Sequence, residues 1–252
     1  AVDRVSHYNS GLFFWPDDPN RLGFNPLINN QSRPYSMHRD GTGKRDLAEE
    51  AGFTYGFSAS PDGKRIAYHR EYQVYLADAD GSNVARVETG HSFNFAPKWP
   101  PDGEWVAFVS GVHADCHPYV VRRDGTDLRK VADRGGYQGW MLFLDVPDYH
   151  QGSSDVPCWS ADSKYLYYTA KIGDAVELMR ASLDGQPEQL SHSEAGVLHY
   201  HPVASPDGKY VLFGSTRDGV RQLYVANADG SEARSITELK KGHAAMHGYW
   251  QQ

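Results

Sequence analysis

Short runs of apolar residues, often alternating with polar ones, recur along the chain, and each is bracketed by turn residues. The runs RIAYHR, WVAFVS, YLYYTA and YVLFGS are too short for helices and rich in β-branched and aromatic side chains, so they predict strands. A turn sequence precedes each one. It reads SPDGK from Ser60 and Ser205, and its variants are WPPDGE from Trp99, WSADSK from Trp159 and WPDDPN from Trp15. In such a turn Pro presets one φ, Asp caps, and Gly takes φ > 0. A second strand follows and ends in Asp-Gly: RPYSMHRDG, YQVYLADADG, HPYVVRRDG, VELMRASLDG, RQLYVANADG. Short polar strands close the units, as at Ala85-Arg86-Val87 and Leu128-Arg129-Lys130-Val131.

The unit is therefore strand a, turn, strand b, loop, strand c, Asp-Gly turn, strand d. A four-stranded meander of ~40–50 residues is one blade of a β-propeller. With Trp15, Ser60, Trp99, Trp159, Ser205 and Trp250 taken as equivalent, the steps are 45, 39, 60, 46 and 45 residues. The expectation is an all-β propeller with five complete repeats and a split sixth. In the sixth, MHGYWQQ supplies a strand a and the N-terminal VDRVS a strand d, and six blades are favoured over five. One propeller domain is expected over residues 1–252.

Composition narrows the function. A net charge of −7 without a basic run argues against a nucleic-acid partner. No stretch approaches the roughly 18 apolar residues of a membrane span. No signal peptide is visible, and a processed or trimmed N-terminus is expected. Cys116 and Cys158 lack metal-type spacing and read as two thiols rather than a disulfide. Twelve histidines is a high number for this length.

Loops on the channel-mouth face of a propeller are the default binding site. The 60-residue step holds an insertion, Arg134 to Ser154, with Trp140, Asp145, Asp148, Tyr149 and His150. It reads equally as a lid over a ligand or as a seal of a blade gap. The segment His199-Tyr200-His201-Pro202 puts two imidazoles on one side of a strand a. Asp155 is placed at the corresponding offset of the fourth repeat, and His243 and His247 lie in the terminal one. Together these five are a candidate site for a divalent ion such as Mn, Zn or Ca. Singly, each histidine also fits a buried hydrogen-bonding role. Arg217 and Arg221 in the b–c loop of the fifth repeat, with Arg70 in the second, suit a carboxylate-bearing ligand. Trp140 and Tyr149 are candidate ligand contacts beside them. No G-x-S-x-G elbow, P-loop or dinucleotide fingerprint is present.

The SPDGK–strand–DG unit resembles the TolB-like, WD40-like (PD40) propeller repeat, also found in S9 peptidase propellers and oligogalacturonate lyases. The motif speaks for fold rather than activity. HYHPVASPDGK is similar to the metal-binding strand of oligogalacturonate lyases. That resemblance implies His199 and His201 as ligands of a Mn-type ion in a polysaccharide lyase acting on acidic oligosaccharides. The base is unassigned, with His150 and His69 as candidates. Two departures stand out. Gly196 occupies the place of a family glutamine, and the family's further histidine ligand has no match, so that Asp155 or His150 would substitute. TolB itself implies the alternative, a non-catalytic propeller that binds a protein or peptide partner. A periplasmic or secreted monomer is expected on either reading.

Overall fold

The computed structural model describes residues 12–250 apart from 29–30, 49, 51, 55, 113–114, 138–141, 144–145, 148–154 and 246. Strands appear where the alternation predicts them. Blade one comprises β1 (Phe13–Trp15), β2 (Asp18–Phe24), β5 (Tyr35–His38) and β6 (Arg45–Asp46), with a small hairpin of β3 (Leu27–Ile28) and β4 (Gln31–Ser32) inserted between its strands b and c. Blade two is β7 (Phe57–Ala59), β8 (Arg65–Arg70), β9 (Gln73–Asp78) and β10 (Ala85–Arg86). Blade three is β11 (Phe93–Lys98), β12 (Trp105–Val112), β13 (Asp115–Arg122) and β14 (Arg129–Lys130). The hairpin of β15 (Leu142–Phe143) and β16 (Val146–Pro147) lies within the insertion. Blade four is β17 (Cys158–Trp159), β18 (Tyr165–Ile172), β19 (Ala175–Ser182) and β20 (Pro187–Gln189). Blade five is β21 (His199–Ala204), β22 (Tyr210–Ser215), β23 (Gln222–Asn227) and β24 (Arg234–Ser235). These are the five complete repeats expected. VDRVS lies outside the described residues, and so do Met246, Gln251 and Gln252 of MHGYWQQ.

Two compact units divide the chain: Ala1–Ser110 with Val120–Arg129, and Gly111–Tyr119 with Lys130–Gln252. The first has a core of Trp15, Leu47, Phe57, Ile66, Tyr68 and Ala77, and the second one of Tyr167, Leu178, Leu190, Val211, Phe213 and Tyr224. Each fully buried large apolar side chain contributes about 1.5–3 kcal/mol. Cys116 is buried and Cys158 half-buried, and each Sγ lies against a backbone carbonyl, of Val112 at 3.1 Å and of Trp159 at 3.4 Å.

The a–b turn explains why SPDGK recurs. The Ser60 hydroxyl donates to Asp62 Oδ1 at 2.5 Å and accepts from the Arg65 amide at 3.0 Å. Gly63 closes the turn at φ 67° and donates to the Ser60 carbonyl at 2.8 Å. Ser160 and Ser205 repeat this with Asp162 and Asp207. The Ser60 hydroxyl is the main reason the Asp62 carboxyl is held down at about 2.

This geometry corrects the repeat register by one residue. Ser160, not Trp159, is the partner of Ser60 and Ser205, and Pro100 takes the same place in blade three, where its carbonyl accepts from Gly103 at 3.1 Å. Position −4 from that turn residue is then Gly56, Ala96 and His201, with φ of 71°, 50° and 51°. The backbone turns left-handed there, and in blade five strand a is bulged, its register shifting between Tyr200 and Val203. The fourth-repeat equivalent, Val156, is not left-handed, as a β-branched side chain requires.

The end of the described chain follows the same scheme. The Trp99 indole donates to the Ser58 carbonyl at 3.2 Å, and the Trp250 indole donates to the Val203 carbonyl at 3.0 Å. Both acceptors sit two residues before their turn serine. Trp250 thus has the role of Trp99, and His247 falls at −4, the position of His201. Residues 244–245 and 247–250 dock as the opening of a further repeat without forming a strand.

Candidate functional site on blade five

The bulge decides where the histidines go. An unbroken strand would carry His199 and His201 on one side. A left-handed His201 ends the alternation, and the two side chains enter separate surroundings.

His199 is fully buried and meets the Phe213 ring edge-on at 5.2 Å. Its Nε2 lies 2.9 Å from Ser193 Oγ and 3.6 Å from Glu177. Burial, aided by the charge of Arg217, lowers its pKa to about 3. At neutral pH it is a neutral imidazole beside a carboxylate, not half of an ion pair. Glu177 already accepts three hydrogen bonds, from the Ser193 amide at 2.6 Å, from the Ser193 hydroxyl at 3.1 Å and from Ser191.

His201 turns toward Asp155, just ahead of β17. Its backbone N–H donates to both carboxylate oxygens, at 3.1 and 2.9 Å, and its Nδ1 lies 2.6 Å from Oδ1. Thr169 of β18 adds a hydrogen bond to Oδ2 at 3.0 Å, and the buried Arg134 donates to the Asp155 carbonyl. Burial works to raise the Asp155 carboxyl, but the charge and hydrogen bonds of His201, with Arg134 behind, hold it below the usual range. An ionised Asp155 requires the proton on His201 Nδ1. The exposed His247 stacks on the His201 ring, centroids 4.3 Å apart and planes at 28°.

A divalent ion needs three or four donors converging on one point. Among the described residues no group of three or more His, Cys, Asp or Glu side chains does so. Asp155 is spent on His201 and Thr169, Glu177 on two serines, and stacked rings do not aim their nitrogens at a common centre. His243 lies exposed in the loop beyond β24, where its amide donates to the Lys240 carbonyl at 3.1 Å. The described residues therefore do not fit a resident metal. Asp155 also stands one position off the offset expected for it, being equivalent to Tyr200.

The other candidates separate. His69 lies on β8, as does Arg70, which is therefore in strand b rather than in the b–c loop. His69 is fully buried among Phe53, Tyr72 and Phe95, and desolvation lowers its pKa to about 3. A neutral, buried imidazole is not placed to take a proton from a ligand. Arg70 ends the same strand, pairs with Glu50 at 2.6 Å and lies over the Tyr75 ring. Trp140, Tyr149 and His150 lie outside the described residues.

Arg217 and Arg221 do occupy the b–c loop of blade five. Arg217 is exposed and packs over Tyr224, and Arg221 lies over Tyr200. The docked C-terminal segment joins them: Arg221 bridges to Ala244, and the Ala245 amide donates to the Arg221 carbonyl at 3.0 Å. This draws in a group the sequence reading missed, the exposed Lys240, Lys241 and His243. In sequence these two loops carry Arg217, Arg221, Lys240 and Lys241 against Asp218 and Glu238. The two docked loops are thus net cationic on a chain of net charge −7. The signal was the Lys-Lys-Gly-His run, hidden because its contact with the b–c loop is tertiary.

No family model matches the chain. An uncharacterized protein of Agrobacterium fabrum, Atu1656, is 30% identical over 193 residues, 75% of this chain and 59% of that protein. Of three curated relatives that it matches, the chain spans between 16% and 59% of the length. Among solved structures, TolB from Acinetobacter baumannii superposes with a TM-score of 0.60 at 15% identity, covering 90% of this chain and 55% of that one. An oligogalacturonate lyase in complex with manganese gives 0.66 at 16%, covering 93% and 65%. No helix among the described residues is long and apolar enough to cross a membrane. In fold, the chain is a TolB-like β-propeller of four-stranded antiparallel blades.

Proposed function

We propose that the protein is a binding propeller that takes an acidic oligosaccharide on the loop face of blade five, without carrying out elimination chemistry. The cationic rim of Arg217, Arg221, Lys240 and Lys241 carries this reading. Guanidinium groups pair with carboxylates in a planar, bidentate manner, and lysines add unspecific attraction. The exposed His247, held against His201, offers a flat ring beside the rim.

Binding is favoured over catalysis because, among the described residues, those expected to do chemistry have other duties. His199 is buried and neutral, and Asp155 and His201 are hydrogen-bonded to each other. The likeness of HYHP to the lyase strand and the fold shared with a lyase support the choice of an acidic saccharide over a peptide.

Calorimetric titration of oligogalacturonate into the protein tests the proposal. The expected result is micromolar-to-millimolar binding that weakens with salt and drops at least tenfold in Arg217→Ala/Arg221→Ala. No heat at low salt, or binding indifferent to that double variant, would sink it. Growth of enone absorbance during the same incubation would overturn the non-catalytic part.

A further inference from the structure

We propose a second ligand site in the first unit: an aromatic platform of Phe53 and Tyr72 that binds the pyranose ring of an uncharged glycan. It is independent of the acidic-ligand reading.

The observation starts with a strained turn. Glu71 and Tyr72 join β8 to β9 as a two-residue hairpin, with Arg70 paired to Gln73. Both are left-handed, at φ 47° and 58°. Such a turn favours Asn-Gly, and the equivalent two-residue hairpin of blade four, Gly173-Asp174, starts with glycine at φ 60°. A bulky aromatic residue there is disfavoured by its own backbone. Strain of this kind persists where surrounding structure enforces it, and it clusters at binding sites.

The turn is clamped from both sides. The Glu71 amide donates to the Phe53 carbonyl at 3.0 Å, and the Phe53 amide donates to the Glu71 carboxylate at 2.6 Å. On the other side the Asn94 backbone and side-chain amides both donate to the Tyr72 carbonyl at 3.0 Å. The Tyr72 ring stacks on Phe93 at 4.8 Å and on His69 at 6.2 Å, and Phe53 lies 6.1 Å away. His69, fully buried, is the floor of this cluster. Phe53 and Tyr72 are 40% and 37% exposed, so two fixed rings face solvent above a rigid base. Ordering costs on binding are small for such a surface.

The rim decides the charge of the ligand. Arg70 is paired with Glu50 at 2.6 Å, and the Glu71 carboxylate already holds the Phe53 amide. An anion would meet two carboxylates, and a cation would compete with Arg70. An uncharged ring with one apolar face and hydroxyl edges suits both the aromatic surface and the paired charges, which can still exchange hydrogen bonds with hydroxyls.

The test is calorimetric and NMR titration of the whole chain with cellohexaose, xylohexaose and mannohexaose at millimolar concentration. At least one should bind, and Phe53→Ala and Tyr72→Asn should each weaken it tenfold or more. Tyr72→Asn should do so with a thermal midpoint unchanged or raised, because Asn relaxes the left-handed turn. Arg217→Ala/Arg221→Ala should leave this binding intact, which separates it from the blade-five site. No binding of any of the three sugars overturns the proposal, as does binding unaffected by Phe53→Ala or lost in the double arginine variant. Tetramethylammonium binding that needs both rings would overturn it in favour of a cation cage.

Discussion

The imidazoles of His201 and His247 stack at 4.3 Å because they are the same position, −4, of successive repeats. One is locked from behind by Asp155, and the other lies exposed on top. The energetic weight of the arrangement therefore falls on Asp155. Removing its carboxylate strips His201 of its partner and leaves Arg134 buried with less opposing charge. Asp155→Ala is expected to cost about 3–5 kcal/mol, the range for breaking a buried charged pair, measured by urea denaturation. His247→Ala, at an exposed ring, should cost less than about 1 kcal/mol. Equal effects of the two changes would contradict this assignment.

His69 supplies a pH dependence. Its folded pKa, lowered to about 3 by desolvation, lies far below the unfolded value near 6.5. Between these values the unfolded chain takes up a proton that the folded chain refuses. Stability is thus complete above pH 6.5 and declines as pH falls toward 3, by up to about 1.4 kcal/mol per pH unit. His199, also held at about 3, adds an equal contribution, so His69→Phe should roughly halve the slope between pH 6.5 and 4.5, read from denaturation midpoints in a pH series. The slope, not the absolute stability, is the readout. An unchanged slope would mean that another group governs acid sensitivity.

Much of the fold was legible because its signals are local. Pro-Asp-Gly and Asp-Gly turns are completed by side chains two or three residues away, as Ser60 with Asp62 shows. The site was less legible because it depends on a bulge. Strict alternation puts His199 and His201 together, and only Gly56 at the matching position of blade two hinted at a left-handed residue there. The one-residue error in register had a related origin. Tryptophan precedes the turn in blades three and four, so Trp99 and Trp159 looked like the repeat marker. The true marker is the turn residue whose carbonyl, and where it is serine also hydroxyl, closes the loop. Lys240 and Lys241 escaped notice because their relation to Arg217 and Arg221 needs the docking of Ala244 and Ala245, which no spacing along the chain encodes.

Chelation separates the blade-five rim from the metal centre implied by the HYHP resemblance. With Asp155 committed to His201 and His199 to Ser193 and Glu177, elemental analysis of purified protein is expected to show no stoichiometric Mn, Zn or Ca. EDTA should leave the thermal midpoint unchanged. A bound ion lost in His199→Ala and His201→Ala would reinstate the metal-dependent reading.

The left-handed residue at position −4 provides a paired test of the corrected register. Gly56 and Ala96 are equivalent and both left-handed, at 71° and 50°. A Cβ built on Gly56 meets no atom within 4 Å, so Gly56→Ala costs backbone strain alone, about 1 kcal/mol. Ala96→Gly relieves the same strain, while glycine's greater unfolded-state freedom and the loss of a buried methyl oppose it. Its net effect should lie within about 0.5 kcal/mol of zero, against the destabilisation usual for truncating a buried alanine. Denaturant midpoints of the two variants decide the matter. If Ala96→Gly lowered stability by 1 kcal/mol or more, or Gly56→Ala left it unchanged, the left-handed residue would not be the shared device of strand a.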